Sequence, residues 1–385
     1  MGTVLLVLFY FFFPVLVLYL DKKFHIVNKI GPVVICYGIG LLIGNIGIFP
    51  EDFEKTQETL FSVVVPLAIP LLLFSLDVKA WFRMAGKTFL SLVLGLISVL
   101  VTVIPGYFIF GGGIPESWKV GGMLIGVYSG ATANMAAIKV ALDVDTDIFL
   151  LTHIYDLVVG AVTLLFLITI AQRTFLLFMR AYRPSDNESR EADRRSYFEQ
   201  YESYREIFTR RIFLPLLAAL SISILIAGIG AALYFNLPEE YNMTVLILVI
   251  TTLGILASFI KSINRIEKTF QAGMYLILIF CLVVASIADF SLFTMDSWPL
   301  LMWIVLAVIG SLFIHGILSR IFNVDVDNFL IISTALSMSP PFVPVVASAL
   351  RNKDIVLPGL IIGILGYAMG NYLGVFVAYL LRAIG

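Results

Sequence analysis

Charge is what this chain has least of. Asp, Glu, Lys and Arg together make up 13% of its 385 residues, about half of the roughly 25% usual for a soluble domain. Hydrophobic residues reach 60% and the mean hydropathy is +1.01. That balance excludes an ordinary soluble domain and reads as an all-α polytopic membrane protein embedded in a lipid bilayer. The net charge is −1 and the basic residues fall in short loops, so no nucleic-acid partner is expected. Cysteine is scarce too. Cys36 and Cys281 lie inside apolar runs, and two such residues provide neither a disulfide framework nor a metal site. They read as small buried hydrophobes. Residues 2–20 follow no charged leader and no small-residue cleavage site, and are expected to stay as a helix. No paired catalytic acids, nucleophile motif or metal cluster falls at membrane depth, so an enzyme is not expected. No cofactor is expected beyond Na⁺ as a coupling ion.

What is abundant is apolar sequence of membrane length. Twelve segments qualify: 2–20, 27–48, 58–76, 88–110, 119–142, 148–172, 211–235, 242–260, 269–288, 298–319, 327–350 and 355–381. The only long polar interruption, 173–211, carries nine arginines. Lys and Arg in short loops stay cytoplasmic. If all twelve segments cross, 9 Lys and Arg fall inside and 16 outside, the reverse of that rule. If 119–142 and 327–350 instead enter and leave on one face, the split becomes 21 inside and 4 outside. Ten crossings and two re-entrant segments are therefore expected. Both termini then face the exterior, and the charged linker 173–210 is cytoplasmic.

The two exceptional segments also look like hairpins. Lys119–Tyr128 and Met135–Asp143 flank the tip Ser129-Gly130-Ala131-Thr132-Ala133-Asn134. Asp327–Leu336 and Val343–Leu350 flank Ser337-Met338-Ser339-Pro340-Pro341-Phe342. An arm of ten residues rises about 15 Å, half of the hydrocarbon thickness. The adjacent prolines cannot continue a helix. A kinked crossing helix is the competing reading of each.

Each half, 1–172 and 211–385, then holds five crossings and one hairpin. Five is odd, so the halves are expected to be inverted repeats, a build that places a solute site near the midplane between broken elements. Irregular backbone at that depth must be buried or line a wet cavity.

Asp156 is the acid well inside a crossing helix and so a candidate for ion or proton coupling; an acid near the interface, satisfied by water, is the plainer reading. His153, three residues earlier on the same face, could relay a proton with it, or be a merely hydrogen-bonded histidine, as could His315. Asn371 occupies the matching place in the second half beside Gly370 and Gly374, and offers an amide oxygen to a cation or a solute. Thr132 and Asn134 join the ion-coupling set. Ser129, Gly130, Thr132, Asn134, Ser337, Ser339 and Asn371 form the substrate-binding set. Free N–H groups at the second arms favour an anion. Trp81, Trp118, Trp298 and Trp303 read as interface anchors, and Pro66 and Pro70 as a bend.

From about residue 60 to 381 the chain resembles the YjcL-like family of bacterial membrane proteins. The resemblance rests on Val65-Pro-Leu-Ala-Ile-Pro-Leu-Leu-Leu-Phe74 with Asp77, on the small-residue tip before Ala136-Ala137, and on Leu357-Pro-Gly-Leu-Ile-Ile-Gly-Ile-Leu-Gly-Tyr-Ala-Met-Gly-Asn-Tyr-Leu-Gly374. It implies a distant relationship to the cation/proton antiporter and bile-acid, glutamate and citrate symporter superfamily. It further implies an elevator, in which one domain carries the hairpins past a dimeric scaffold in the bacterial inner membrane. Both tips depart from the family pattern: Ser339-Pro340-Pro341 stands for Gly-Gly-Pro, and Ser129-Gly130-Ala131-Thr132-Ala133-Asn134 for Gly-Gly-Ser-Val-Asn. The expected function is Na⁺- or H⁺-coupled secondary transport of a small anionic solute by a homodimer. A monovalent cation/proton antiporter and a non-transporting receptor or scaffold are the alternatives.

Overall fold

The computed structural model describes residues 2–24, 31–46, 53–76, 86–182, 204, 207, 209–287, 297–338, 342–352 and 354–385. These form helices and no strand. In the first half they are α1 (Gly2–Lys23), α2 (Pro32–Asn45), α3 (Glu54–Phe74), α4 (Gly86–Phe110), α5 (Ser117–Ala141), α6 (Thr146–Thr169) and the short α7 (Ala171–Leu176). In the second they are α8 (Arg210–Tyr234), α9 (Glu239–Ser258), the short α10 (Lys261–Asn264), α11 (Thr269–Ala285), α12 (Trp298–Val305), α13 (Ser311–Ile321), α14 (Val326–Ser337), α15 (Val343–Ala349) and α16 (Val356–Ile384). A π-helical turn, Leu306–Gly310, joins α12 to α13 into one rod.

Seven of the described helices are long and apolar enough to cross a membrane: Leu5–Lys23, Lys55–Phe74, Gly86–Gly113, Thr146–Thr169, Arg210–Tyr234, Trp298–Ile321 and Val356–Ile384. The other three expected crossings appear as shorter apolar helices, Pro32–Asn45, Asn242–Ser258 and Thr269–Ala285. α2 and α11, at 14 and 17 residues, rise about 21–26 Å, short of the roughly 30 Å hydrocarbon layer, whereas α9 as a whole, at 20 residues, reaches about 30 Å.

Local chemistry sets several of these ends. Asp145 caps α6 by accepting from the backbone N–H groups of Asp147 (2.9 Å) and Ile148 (3.3 Å). Asp325 caps α14 through Asn328 N (2.9 Å). Such side chains satisfy N–H groups that a helix start leaves open. Pro32 opens α2 behind Gly31, whose φ of 89° suits glycine. Pro66 and Pro70 sit inside α3, where the Leu67 carbonyl between them also accepts from Ser223 of α8 (2.7 Å).

Packing sorts the helices into two sets. In one, α3 lies along α11, α2 along α11, and α9 along α3, with α8 against α3 and α9 and α1 against α2 and α11. In the other, α16 lies along α5, α13 along α4, and α14 against α16, α4 and α5. Chiefly α9 and α3, against α5 and α16, join the sets. Thus the first three apolar helices of each half, α1–α3 and α8, α9 and α11, make one set, and the later elements make the other.

One sequence expectation changes here. Trp303 is no interface anchor: it is fully buried, donates from Nε1 to the Val103 carbonyl (3.1 Å), and covers Gly106. Its ring fills a slot that only a glycine leaves open. Residues 171–182, where the charged connector begins, are anchored by buried Ala171, Phe175 and Met179 among exposed neighbours. Phe175 is fully buried against Phe329 (4.7 Å between ring centroids), and Arg180 O accepts from Val326 N (3.0 Å). Three apolar rings in Phe175, Phe178 and Phe313 outweigh the flanking arginines. The rest of the connector, 183–203, lies outside the described residues, as do Asp77, Trp81, Asp289 and the tip residues Ser339, Pro340 and Pro341.

Candidate ion and solute site

The first candidate hairpin, α5, breaks at its centre. Gly130 (φ −158°, ψ 18°) and Ala131 (φ 63°, ψ −165°) leave the helical region, and a positive φ on alanine is strained backbone of the sort held only by its surroundings. The two arms lie side by side. Lys119 Nζ donates to the Asp143 carbonyl (2.7 Å) and Asp145 N to Glu116 Oε2 (3.0 Å). In a straight helix those partners would be about 36 Å or more apart. In the second segment, Asn352 Nδ2 donates to Asp327 Oδ2 (2.7 Å), so α14 and the chain after α15 also meet at one end. Gln172 Nε2 donates to the other oxygen, Oδ1 (2.8 Å), which holds the buried Asp327 between two amides.

The tip of α5 docks on α16 through glycine. Gly122, Gly126 and Gly130 fall four residues apart on the first arm, and Gly366, Gly370 and Gly374 four apart on α16. A Cβ on Gly366 would lie 2.2 Å from the Ser129 carbonyl oxygen, and one on Gly122 2.9 Å from that of Gly374. Small residues at this spacing let helix backbones touch. Asn134 locks the contact, donating from Nδ2 to the Tyr367 (3.1 Å) and Gly366 (3.4 Å) carbonyls. Ser129 turns back to the Ile125 carbonyl (2.7 Å) beside Gly370.

Ser129, Gly130 and Asn134 are therefore brought together on α16. The remaining expected residues are not in that cluster. Thr132 is part-exposed at the tip. Ser337 donates to the Ser333 carbonyl (2.7 Å) on its own arm. Asn371 faces α9, donating from Nδ2 to Thr251 Oγ1 (3.0 Å), while its Oδ1 is buried with no hydrogen-bond partner among the described residues. Asp156 is reached from the first arm by Tyr128, whose hydroxyl donates to Oδ1 (2.9 Å). Tyr128 is two residues from both Gly126 and Gly130, hence about 200° around the arm from the α16 face. Asp156 and Asn371 thus address different elements.

His153 lies with Asp156, its Nδ1 3.7 Å from Oδ2. The ring is fully buried, parallel to Phe149 (6.0 Å between centroids) and against Tyr37 (4.3 Å). Neither of its nitrogens has a hydrogen-bond partner among the described residues. His315 is the opposite case: Nδ1 pairs with Ser333 Oγ (2.8 Å) and Nε2 with Ser91 Oγ (3.1 Å).

Three partners escape sequence reasoning: Tyr128, Tyr37 and Thr251. Tyrosine and threonine are common in membrane helices, so only the glycine periodicity flanking Tyr128 carries a readable signal. No group of three or more His, Cys, Asp or Glu that could hold a metal exists among the described residues.

Comparison with known proteins agrees with the reading of a helical membrane protein. The chain is 26% identical over 370 residues to the protein titled "Uncharacterized membrane protein YjcL" of Bacillus subtilis (strain 168), covering 93% of this chain and 91% of that one. The pattern of the family described as "Protein of unknown function (DUF819)" matches residues 9–384. With nearly its whole length matched, the chain belongs to the DUF819 family.

Proposed function

We propose that the protein is a secondary active transporter, coupled to H⁺ or Na⁺, that moves a small anionic organic solute by an elevator motion in the bacterial inner membrane. The observation that carries this reading is the pair of doubled-back segments standing fifth in each half, after four helices and before one. Inverted repeats interrupted in this way are the build of alternating-access carriers. The division into two packing sets supports a moving part, α4–α6 with α12–α16, beside a scaffold. The buried tip oxygens of Ser129 and Asn134, with Thr132, Ser337 and Asn371, are its solute contacts. Asp156 is its ion-coupling acid, and the basic connector faces the cytoplasm. Two copies joined through the scaffold make the functional unit. The reading includes no enzymatic step and no cofactor beyond a coupling ion.

The test is uptake. Proteoliposomes holding the full chain are offered a panel of small carboxylates under an inward H⁺ or Na⁺ gradient. Accumulation of one compound, abolished by Asp156→Asn, is the expected result; gradient-driven accumulation unchanged by that substitution overturns the ion assignment. One observation favours a monovalent cation/proton antiporter: neither tip, 129–134 nor 337–342, carries a basic side chain to neutralise an anion. That reading predicts proton movement on a Na⁺ or Li⁺ pulse with no organic solute present.

A further inference from the structure

The surroundings of Asp156 distinguish between coupling ions. Its carboxylate meets one hydroxyl, from Tyr128, and one imidazole, from His153. The rings of Tyr37 and Phe149 pack on that imidazole. Among the described residues no lysine or arginine pairs with it, and its one ion-pair partner is His153. A buried carboxylate without a fixed counter-charge is costly and has to be neutralised by what it binds. A metal ion such as Na⁺ needs a shell of oxygens, as hard cations do. Among the described side chains hydrogen-bonded or ion-paired to Asp156, Tyr128 alone offers an oxygen, and the other partner is the His153 nitrogen. A proton needs one oxygen or one ring nitrogen, and His153 offers two nitrogens that nothing else occupies. The other titratable groups around the pair are Cys36 and Tyr37 on α2, Tyr128 on α5 and Cys281 on α11, all neutral near physiological pH.

We infer that the Asp156–His153 pair is a proton-binding site, and that Tyr128 transmits its occupancy to the tip of α5. The inference rests on the transport reading for its use, though not for its detection. One proton enters and no bond other than the new O–H or N–H forms. While Asp156 is a carboxylate, Tyr128 donates a charge-assisted hydrogen bond to it, which is about twice as strong as a neutral one. When the proton arrives that bond weakens. Tyr128 immediately precedes Ser129 and the strained Gly130-Ala131 break, so the change reaches the residues that seat the tip on Gly366 and Gly370.

Purified full-length protein in detergent tests this without a solute. Infrared difference spectra between alkaline and acid buffers should contain a carboxylic-acid band that is lost in Asp156→Asn and unchanged when choline replaces Na⁺. Hydrogen exchange of residues 129–134, corrected for intrinsic rates, should rise about fivefold to tenfold on acidification. It should be fast at all pH in Tyr128→Phe, which keeps the band. A merely structural tyrosine would raise exchange without removing its pH dependence, which would refute the transmission step. A band absent from the wild type, or one displaced by Na⁺, overturns the proton assignment. If Asp156→Asn does not fold, Asp156→Glu must shift the band instead; an unshifted band has the same force. Proteoliposomes that carry no solute, with both spectroscopic results intact, would reject the transporter and leave the proton site standing.

Discussion

The two doubled-back segments are seated by different chemistry. The first rests on α16 backbone to backbone, through facing glycines, with Asn134 as its polar lock. The second is held by side chains: Asp327 between Gln172 and Asn352 at its open end, and His315 between Ser91 and Ser333 along its arm. A glycine contact is close but has no directional bond, so it permits sliding or rotation. Paired buried hydrogen bonds fix one register. Within the part proposed to move, the comparison makes the tip of the first segment the better candidate for local motion against α16, and the second segment the one that keeps a single register.

Thermal unfolding of single variants in one detergent can break or sharpen this contrast. Gly366→Val should cost most, about 3 kcal/mol or more, because its Cβ meets the Ser129 backbone at 2.2 Å and neither side can yield. Little monodisperse protein should survive extraction. Asp327→Ala should come next. It leaves the buried Asn352 amide without that acceptor, at about 1–3 kcal/mol, and the part-buried Gln172 amide at less. Ser333→Ala removes one partner of His315 and should cost about 1 kcal/mol. Glu116→Ala at the mouth of the first segment should change stability by about 1 kcal/mol or less, since its bond to Lys119 is only part-buried and its bond from Asp145 N is exposed. If Asp327→Ala proved milder than Glu116→Ala, the second segment would not be fixed by its polar clasp.

Much of the fold was legible because membranes restrict the alternatives. Apolar length located the crossing helices, and α2 came out short where Gly31 and Pro32 set its start inside the apolar run. The Lys and Arg count singled out 119–142 and 327–350, the two segments whose ends meet. The site was legible only in part. Ser129, Gly130 and Asn134 could be read from a cluster of small and polar residues amid apolar sequence. The role of Trp303 could not: a tryptophan near a helix start suits either an interface or a glycine slot, and Gly106 on another helix decides which. Nor could the contrast between His153 and His315, two histidines in apolar helices, since their partners come from elements up to 224 residues away.

Composition, apolar run length and the placement of Lys and Arg determined that this chain is a bundle of membrane helices with two interrupted segments. Those features act through the solvent, which treats every residue by type and depth. Which backbone approaches which, and which buried polar group finds a partner, was decided only in the tertiary structure. Hydrogen bonds and glycine contacts depend on distances of a few ångströms between helices distant in the chain. Tyr128 reaches Asp156, and Asn371 turns to Thr251 instead, for that reason.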